Sequence, residues 1–249
     1  MQEGPHARPR RVYVRFVAVG FQSFSASAGT GWWLPPWAVG IMNLMRTFPI
    51  MLNVVGRLAT VVGGGPVGVR KVRSLLASGA KVRLIARTVD SPETPQPAVD
   101  LRLEPYRPEL LEGSMLVFAC TEDRALNSRI ARDARRIGAL VNAADQPEDC
   151  DFYVPSTASR DEVVLAVGTG GASPSLAAHL RKRLESALPE KIGPFTTLLG
   201  QIRQELRGLV QDERRRGEIM KRLSQDDVYL AFAAKGDDAV RIHLKQLLA

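Results

Sequence analysis

The chain has few cysteines, few aromatic residues and no long apolar run. Its two cysteines, Cys120 and Cys150, are too few for a disulfide framework or for a four-cysteine metal site. No apolar stretch reaches about 18 residues, the length that a membrane-spanning helix needs, so we expect no membrane span. The three histidines, His6, His179 and His243, include no pair at metal-ligand spacing, and we expect no metal site.

What is present is an ordinary globular composition with an excess of positive charge. Hydrophobic residues make up 45% of the 249 residues, charged residues make up 24%, and the formal net charge is +8. A positive net charge favours the binding of nucleic acid, acidic lipid or a polycarboxylate ligand. A basic surface that is solvated and binds nothing is the alternative. No motif typical of nucleic-acid binding accompanies this charge, and aromatic residues make up only 6%, so we expect no nucleic-acid partner.

Residues 1–44 differ from the rest because they show no sustained helix or strand period. Arg10 and Arg11 precede an apolar segment, as in an export signal, but Arg15 interrupts it. We therefore expect a disordered extension, or a stretch translated from a misplaced start with Met45 as the natural first residue. Without an export signal or a membrane span, we expect a cytoplasmic protein.

Strand and helix patterns alternate along residues 58–144, which predicts an α/β fold with a parallel sheet covered by helices. The first helix is predicted to bury Val67 and to expose most of its basic side chains, including Arg70 and Lys71. The predicted strands are 58–62, 81–86, 101–104, 115–120 and 140–144. The predicted helices are 67–78, 109–112 and 125–137, and a loop with three prolines covers 90–98.

The pattern changes after Phe152. Residues 162–167 predict another strand, and residues 174–188 predict a helix that Ser173 caps. From Pro194 to the end, the sequence predicts mainly helices.

A glycine-rich segment joins the first predicted strand to the first predicted helix. Gly63, Gly65 and Gly68 fit the pattern G-x-G-x-x-G, which in this context indicates a dinucleotide site. The helix start supplies backbone N–H groups and a dipole that favour a pyrophosphate. A glycine turn that binds nothing is the alternative. The candidate cofactor residues of this glycine loop are Gly63, Gly64, Gly65, Pro66, Val67 and Gly68.

The residue that selects the cofactor's ribose is not the usual one. An acidic residue about 20 positions after the loop holds the ribose of NAD in many such folds. Here the second strand ends at Ala86, Arg87 and Thr88. Arg87 could bind the 2′-phosphate of NADP or cover the edge of the adenine. We expect NAD as the cofactor, with NADP as the alternative. Thr88 and Thr121, which follow two predicted strands, complete the candidate cofactor residues.

Longer segments make the chain similar to one family. In order along about residues 45–220 they are VVGGGPVGVRKVRSLLASGAKV, LVFACTEDRALNSRIARDARRIGALVN, NAADQPEDCDFYVPS, VGTGGASPSLAAHLRKRLE and ERRR. These segments resemble the siroheme synthase family, which comprises precorrin-2 dehydrogenases that often also act as sirohydrochlorin ferrochelatases. The glycine loop occurs in many folds, whereas the segments around Asp145 and around residues 169–174 are more specific.

The resemblance implies a three-part chain. It implies a Rossmann-like NAD-binding domain at 45–157, a dimerisation segment at 158–190 and a helical C-terminal domain at 191–249. It also implies a homodimer, with precorrin-2 oxidised to sirohydrochlorin between the cofactor domain and the partner subunit. Ferrous iron is a further substrate if the ferrochelatase activity is present. The chain is too short for the methyltransferase domain that some relatives carry, so we expect another protein to perform the methylation.

The same resemblance assigns catalysis to Asp145, a base at the end of a predicted strand. A free aspartate has a pKa of ~3.9 and is a weak base. We expect partial burial to raise the pKa of Asp145 toward the range that suits proton transfer. A turn-capping role before Pro147 is the alternative. We also expect Thr169, Gly170 and Gly171 to bind the tetrapyrrole, because a small-residue turn before a helix receives a carboxylate.

Other charged residues have weaker assignments. We expect Asp123 to cap a helix, and Asp149 and Asp151 either to orient Asp145 or to have no special role. The basic residues at 181–183 and 214–216 suit either substrate carboxylates or a solvated helix face. Two other functions stay open: a dehydrogenase without chelatase activity, and a non-catalytic module that senses NAD(H).

Overall fold

The computed structural model describes residues 47–89 and 98–249. Expectations for residues 1–44 and for most of the proline-rich loop lie outside these residues. The strands are β1 (Leu58–Val62), β2 (Lys81–Ile85), β3 (Val99–Arg102), β4 (Ser114–Ala119), β5 (Leu140–Ala143), β6 (Ser156–Arg160) and β7 (Val163–Val167). The helices are α1 (Pro66–Ala77), α2 (Arg124–Arg136), α3 (Pro174–Ala187), α4 (Ile192–Leu209), α5 (Glu213–Leu223), α6 (Asp226–Lys235) and α7 (Asp237–Leu248).

The first five strands form one parallel sheet in the order β3-β2-β1-β4-β5. Val61 in the central strand β1 pairs with Leu84 of β2 on one side and with Phe118 of β4 on the other. From β1 the chain adds β2 and β3 on one side of the sheet, and then β4 and β5 on the other side. At the point between β1 and β4 where the direction changes, a crevice for ligands forms beyond the carboxyl ends of the strands. The predicted α/β fold with a parallel sheet is therefore confirmed.

Helices cover both faces of the sheet, which is why its strands are apolar almost throughout. Successive residues of β1 point to opposite faces, so Val61 packs in the core beneath α1, and Val62 packs in the core beneath α2. On the α2 side, Ile130 and Val141 are completely buried. The two cores fix the carboxyl edge of the sheet, which we define as the edge formed by the ends of β1, β2, β4 and β5.

The amphipathic pattern of α1 was predicted incorrectly at two positions. Val67 is 37% exposed, because it lies in the first turn, beyond the carboxyl edge of the sheet. Lys71 is partly buried rather than exposed, and its Nζ lies 5.5 Å from the centroid of the Phe118 ring. A long lysine side chain packs its methylene stem along apolar surface and brings its ammonium to the edge, which apolar periodicity alone does not reveal.

A hairpin of β6 and β7 with the helix α3 follows the sheet. Ala158 and Ala177 are buried in this small unit, and Arg160 Nη1 donates a hydrogen bond to the Leu188 carbonyl at 2.8 Å. Strand β6 was not predicted, because its sequence STASR has no apolar alternation. The predicted boundary between residues 157 and 158 falls inside this strand.

Helices α4 to α7 pack around a separate core that includes Phe195, Ile202 and Leu223. The long helix α4 begins at Ile192, before Pro194, because proline is accepted in the first turn of a helix. No helix in the described part of the chain is long and apolar enough to cross a membrane.

Two arginines of the basic run 214–216 serve the helical core. Arg216 Nη1 donates to the carbonyl oxygens of Val210 and Gln211, each at 2.8 Å, at the end of α4. Arg215 Nη2 donates to the Leu247 carbonyl at 2.8 Å, near the end of α7. These guanidinium groups satisfy carbonyls that the helix ends leave open.

Candidate functional site

Three glycines of the loop are required by the protein's own packing. An added Cβ at Gly63, where φ is +119°, would collide with the carbonyl oxygen of Cys120, and one at Gly64 would collide with the carbonyl oxygen of Thr88. An added Cβ at Gly68 would collide with the carbonyl oxygen of Gly63, so this glycine lets α1 pack closely against the loop. The loop is thus held between the ends of β2 and β4.

Gly65 is different, because an added Cβ there meets no protein atom within 4 Å. The space beside it suits a ligand that approaches the backbone. The first helical hydrogen bond of α1 runs from Val69 N to Gly65 O at 3.0 Å. The N–H groups of Val67 and Gly68 precede that bond and are therefore available to an anion. These features fit the pyrophosphate of a dinucleotide.

Arg87, predicted to meet a 2′-phosphate or the adenine edge, and Thr88, a further cofactor candidate, lie beside the loop. Arg87 and Thr88 are exposed at the end of β2, and the Thr88 carbonyl packs against Gly64. Within the described residues, Arg87 forms no ion pair with a carboxylate. Its guanidinium is therefore available to a ligand at the edge of the crevice.

Thr121 follows β4 and takes part in a local network. Its N–H and its Oγ1 both donate to Asn127 Oδ1, at 3.1 Å and 2.7 Å, and Asn127 Nδ2 donates to the Thr121 carbonyl at 3.0 Å. Asp123 accepts a hydrogen bond from Leu126 N at 3.0 Å, which confirms the predicted cap of α2. The network uses the Thr121 hydroxyl to fix the backbone that faces Gly63, a role that its position in the sequence did not indicate.

Asp145 lies in a turn directly after β5, at the carboxyl edge as predicted. Its backbone is in the left-handed region with φ of 56°, a conformation that Asp and Asn adopt more readily than other residues with a side chain. The expected partial burial is wrong for the single chain, because the Asp145 side chain is exposed. The physical reason is that β5 is an edge strand, so no further strand covers this turn.

Residues on α2 support the Asp145 turn from behind. Arg124 Nη1 donates to the Asp145 carbonyl at 3.2 Å. Gln146, which is 2% exposed, donates through Nε2 to the Arg124 carbonyl at 3.2 Å and to Ser128 Oγ at 2.9 Å. The Oε1 atom of Gln146 has no hydrogen-bond partner within the described residues. These contacts hold the backbone of the turn and leave the Asp145 carboxylate at the surface.

The loop after Asp145 is closed by a thiol. Cys150 Sγ accepts from the Ala143 N–H at 3.3 Å and lies 3.2 Å and 3.3 Å from the carbonyl oxygens of Ala143 and Gln146, to either of which it donates. Burial is the main cause that raises the pKa of this thiol. No pattern in the sequence indicates this role, since a free cysteine is most often part of a core.

Asp149 and Asp151 bind other parts of the same domain. Ser128 Oγ donates to Asp149 Oδ2 at 2.5 Å. Asp151 accepts from Arg135 Nε at 2.9 Å and from Val141 N at 3.1 Å. Their carboxylates thus hold the loop against α2 and β5.

The turn predicted to bind substrate is preformed at the start of α3. Thr169 Oγ1 accepts from Ser173 N at 3.1 Å and donates to the Ser173 carbonyl at 3.0 Å, and Ser173 Oγ caps the helix by accepting from Leu176 N at 3.2 Å. Gly170 and Gly171 have φ of 60° and 83°, which favour glycine. In the described residues, no hydrogen bond links this turn to the Asp145 turn.

Three further residues considered in the sequence analysis lie on helices α3 and α7. Arg181 pairs with Glu185 on α3 itself. His179 is exposed on α3, and His243 Nδ1 lies 2.8 Å from the Ala239 carbonyl oxygen within α7. In the described ranges, no group of three or more His, Cys, Asp or Glu side chains lies close enough to hold a metal ion.

Comparisons with known proteins agree with this architecture. Residues 50–156 match the family titled "Putative NAD(P)-binding". The siroheme synthase of Nitrosomonas eutropha is 36% identical over 209 residues, which cover 82% of this chain and 44% of that protein. The siroheme synthase of Methylococcus capsulatus is 36% identical over 205 residues, which cover 81% of this chain and 43% of that protein. The chain therefore spans less than half the length of these curated relatives.

A solved structure extends the comparison to the whole fold. SirC, described as a precorrin-2 dehydrogenase, superposes with a TM-score of 0.66 and 26% sequence identity. The alignment covers 81% of this chain and 98% of the SirC chain, so it includes the sheet and part of the region after it. The glycine loop, the parallel sheet and these relatives together lead to one conclusion: the chain contains a Rossmann-like NAD(P)-binding domain and is similar, over most of its own length, to part of the siroheme synthases.

Proposed function

We propose that the chain oxidises precorrin-2 to sirohydrochlorin with NAD as the hydride acceptor, as a step in siroheme biosynthesis. The observation that carries this proposal is the position of Asp145 on the same carboxyl edge as the open space at Gly65. A base and a dinucleotide site at one edge suit a reaction that removes both a hydride and a proton. The likeness to SirC, which is described as a precorrin-2 dehydrogenase, supports the choice of substrate.

The roles of the chain's own residues follow from the site. The nicotinamide of bound NAD supplies the hydride-accepting chemistry. The start of α1 holds the pyrophosphate through the Val67 and Gly68 N–H groups, and Gly65 allows its close approach. Asp145 takes the proton that the substrate loses, so two electrons and two hydrogens leave precorrin-2 together. Arg124 keeps the Asp145 turn in place through the Asp145 carbonyl.

A homodimer is part of the same proposal. The hairpin and α3 expose large apolar side chains, with Val164 at 45%, Leu176 at 49% and Leu184 at 47%. A two-stranded hairpin is marginally stable by itself, so a second copy that covers it would stabilise this unit. Residues 158–190 then form the dimer contact, and the substrate lies between the cofactor domain of one copy and the partner subunit. This arrangement covers the exposed Asp145 carboxylate.

The test is anaerobic incubation of the purified protein with precorrin-2 and NAD, followed by absorbance. Sirohydrochlorin that forms only with NAD or NADP supports the dehydrogenase. Ferrous iron is then added, and siroheme that forms faster with the protein than without it adds the ferrochelatase activity. A well-folded protein that converts nothing with either cofactor contradicts the proposal and favours a module that senses NAD(H).

A further inference from the structure

Two neighbouring cations on α1, Arg70 and Lys71, have no acidic partner among the described residues. Arg70 is exposed, whereas Lys71 is partly buried with its Nζ over the face of Phe118 at 5.5 Å from the ring centroid. Within residues 47–89 and 98–249, no carboxylate forms an ion pair with either side chain. Burial is the largest cause that lowers the pKa of Lys71, and the nearby Arg70 lowers it further.

The Lys71 ammonium lies near the end of β4, because Phe118 is the residue before the last of that strand and Cys120 follows it directly. Burial raises the pKa of the Cys120 thiol to about 11, Lys71 and Arg70 act to lower it, and Asp145 acts to raise it. The thiol is therefore within electrostatic reach of both cations and of Asp145. Its backbone carbonyl also packs against Gly63 of the glycine loop. The end of β4 therefore has the glycine loop in contact with it and both cations and Asp145 near it.

An anion at this position would relieve an unfavourable arrangement. A partly buried charge is costly unless it is paired, and a second positive charge beside it adds repulsion. Three other arginines, which the sequence analysis considered for substrate carboxylates, are used within the fold. Arg181 pairs with Glu185, and Arg215 and Arg216 bind helix-end carbonyls.

We propose that Arg70 and Lys71 form an anion subsite that binds a carboxylate of the tetrapyrrole substrate. The proposal rests on the proposed function, because that function supplies a substrate rich in carboxylates. A cofactor phosphate has the same chemistry, but the phosphate position is at the start of α1. Lys71 is five residues after Pro66, which places it roughly 8 Å further along the helix axis. The subsite is therefore separate from the pyrophosphate position, which leaves the substrate carboxylates as the anions that the proposal assigns to it.

The test measures binding without turnover. Uroporphyrin I, a porphyrin with eight carboxylates, serves as the probe, and its dissociation constant is measured by fluorescence on the full chain. We expect Lys71→Met to weaken probe binding by about tenfold or more, since a hydrogen bond to a charged group is lost. Lys71→Arg should recover most of the affinity. Lys81→Met, which removes an exposed charge at the opposite end of β2, is the matched control and should change binding by less than about twofold.

NAD binding by the same variants separates the two sources of the anion. We expect the dissociation constant for NAD to stay within about twofold in Lys71→Met, which also shows that the domain is folded. Weaker NAD binding with unchanged probe binding would assign the cations to the cofactor and overturn the proposal. Unchanged binding of both ligands would overturn it as well.

A second variant keeps the test independent of folding and of catalysis. Arg70→Met changes an exposed side chain, so it tests the subsite even if Lys71→Met does not fold. We expect it to weaken probe binding severalfold, and no change would contradict the subsite. If the wild-type protein binds the probe through Lys71 but does not oxidise precorrin-2, the proposed function fails and the anion subsite stands.

Discussion

Asp145 has a carboxylate side chain and a left-handed backbone conformation. Two substitutions distinguish the contribution of the carboxylate to turnover from that of the backbone conformation to stability. Asn tolerates this backbone at least as well as Asp, whereas Ala is strained there. We expect Asp145→Asn to lose turnover of precorrin-2 by about 100-fold or more with unchanged thermal stability and NAD binding. Asp145→Ala should lose the same turnover and about 1 kcal/mol of stability. Anaerobic kinetics with calorimetry measure both, and turnover retained in Asp145→Asn would remove this carboxylate from the mechanism.

The glycine loop offers a matched pair of substitutions. Ala at position 68 collides with the carbonyl of Gly63, so we expect Gly68→Ala to destabilise the domain by about 1–3 kcal/mol. Ala at position 65 meets no protein atom, so Gly65→Ala should change the free energy of unfolding by less than about 1 kcal/mol. It should instead weaken NAD binding by about tenfold, because the new methyl group occupies the ligand's space. Chemical denaturation and NAD titration distinguish these effects, and equal NAD affinity in Gly65→Ala would contradict the assigned pyrophosphate position.

Arg87 provides the test of cofactor choice. If its guanidinium binds a 2′-phosphate, only NADP has the group that it contacts. We then expect Arg87→Ala to weaken NADP binding by about tenfold and NAD binding by less than about threefold. Titration of both cofactors with wild-type and variant protein measures this difference. An equal loss for the two cofactors would favour the adenine-edge position instead.

At the scale of elements, the periodicity of apolar residues predicted the strands and helices well, but it did not predict the networks of side-chain contacts. The sheet strands and α1 to α3 lie within two residues of their predicted bounds, because short apolar runs and 3.6-residue periods mark buried faces. Strand β6 was not predicted, because its partner β7 and the helix α3 hold it in place and its own sequence pattern does not mark it as a strand.

The candidate site was predictable only in part, because local sequence patterns do not encode side-chain contacts between distant residues. The strand ends place Gly63 and Asp145 on one edge, which topology predicts. The positions of Lys71 and Cys150 depend on side-chain directions and on a loop whose shape arises from contacts distant in the sequence. The exposure of Asp145 depends on β5 being an edge strand, a fact about strand order that periodicity does not contain.

At the scale of the whole molecule, the exposed apolar side chains predict a dimer that a single charge disrupts. We expect Leu176→Glu, on α3, to give a monomer in sedimentation at micromolar concentration, because a buried unpaired carboxylate opposes the contact. Leu230→Glu, on α6 and 64% exposed, is the control and should leave the oligomeric state unchanged. NAD binding should persist in both variants, whereas precorrin-2 turnover should fall only in the monomer. A wild-type protein that sediments as a monomer would contradict the dimer.

The contact of Gly63 with the Cys120 carbonyl also has a consequence for how the chain acquires its fold. The central strand β1 is made early but pairs with β4, which is synthesised much later, so the sheet depends on contacts of long sequence separation. The glycine loop reaches its final shape only when β4 is in place behind it. Helices α4 to α7, whose contacts are more local, assemble faster by the same argument. The dinucleotide therefore binds late in folding, once the glycine loop is complete. A ligand that stabilises the completed loop stabilises the part of the chain that folds most slowly.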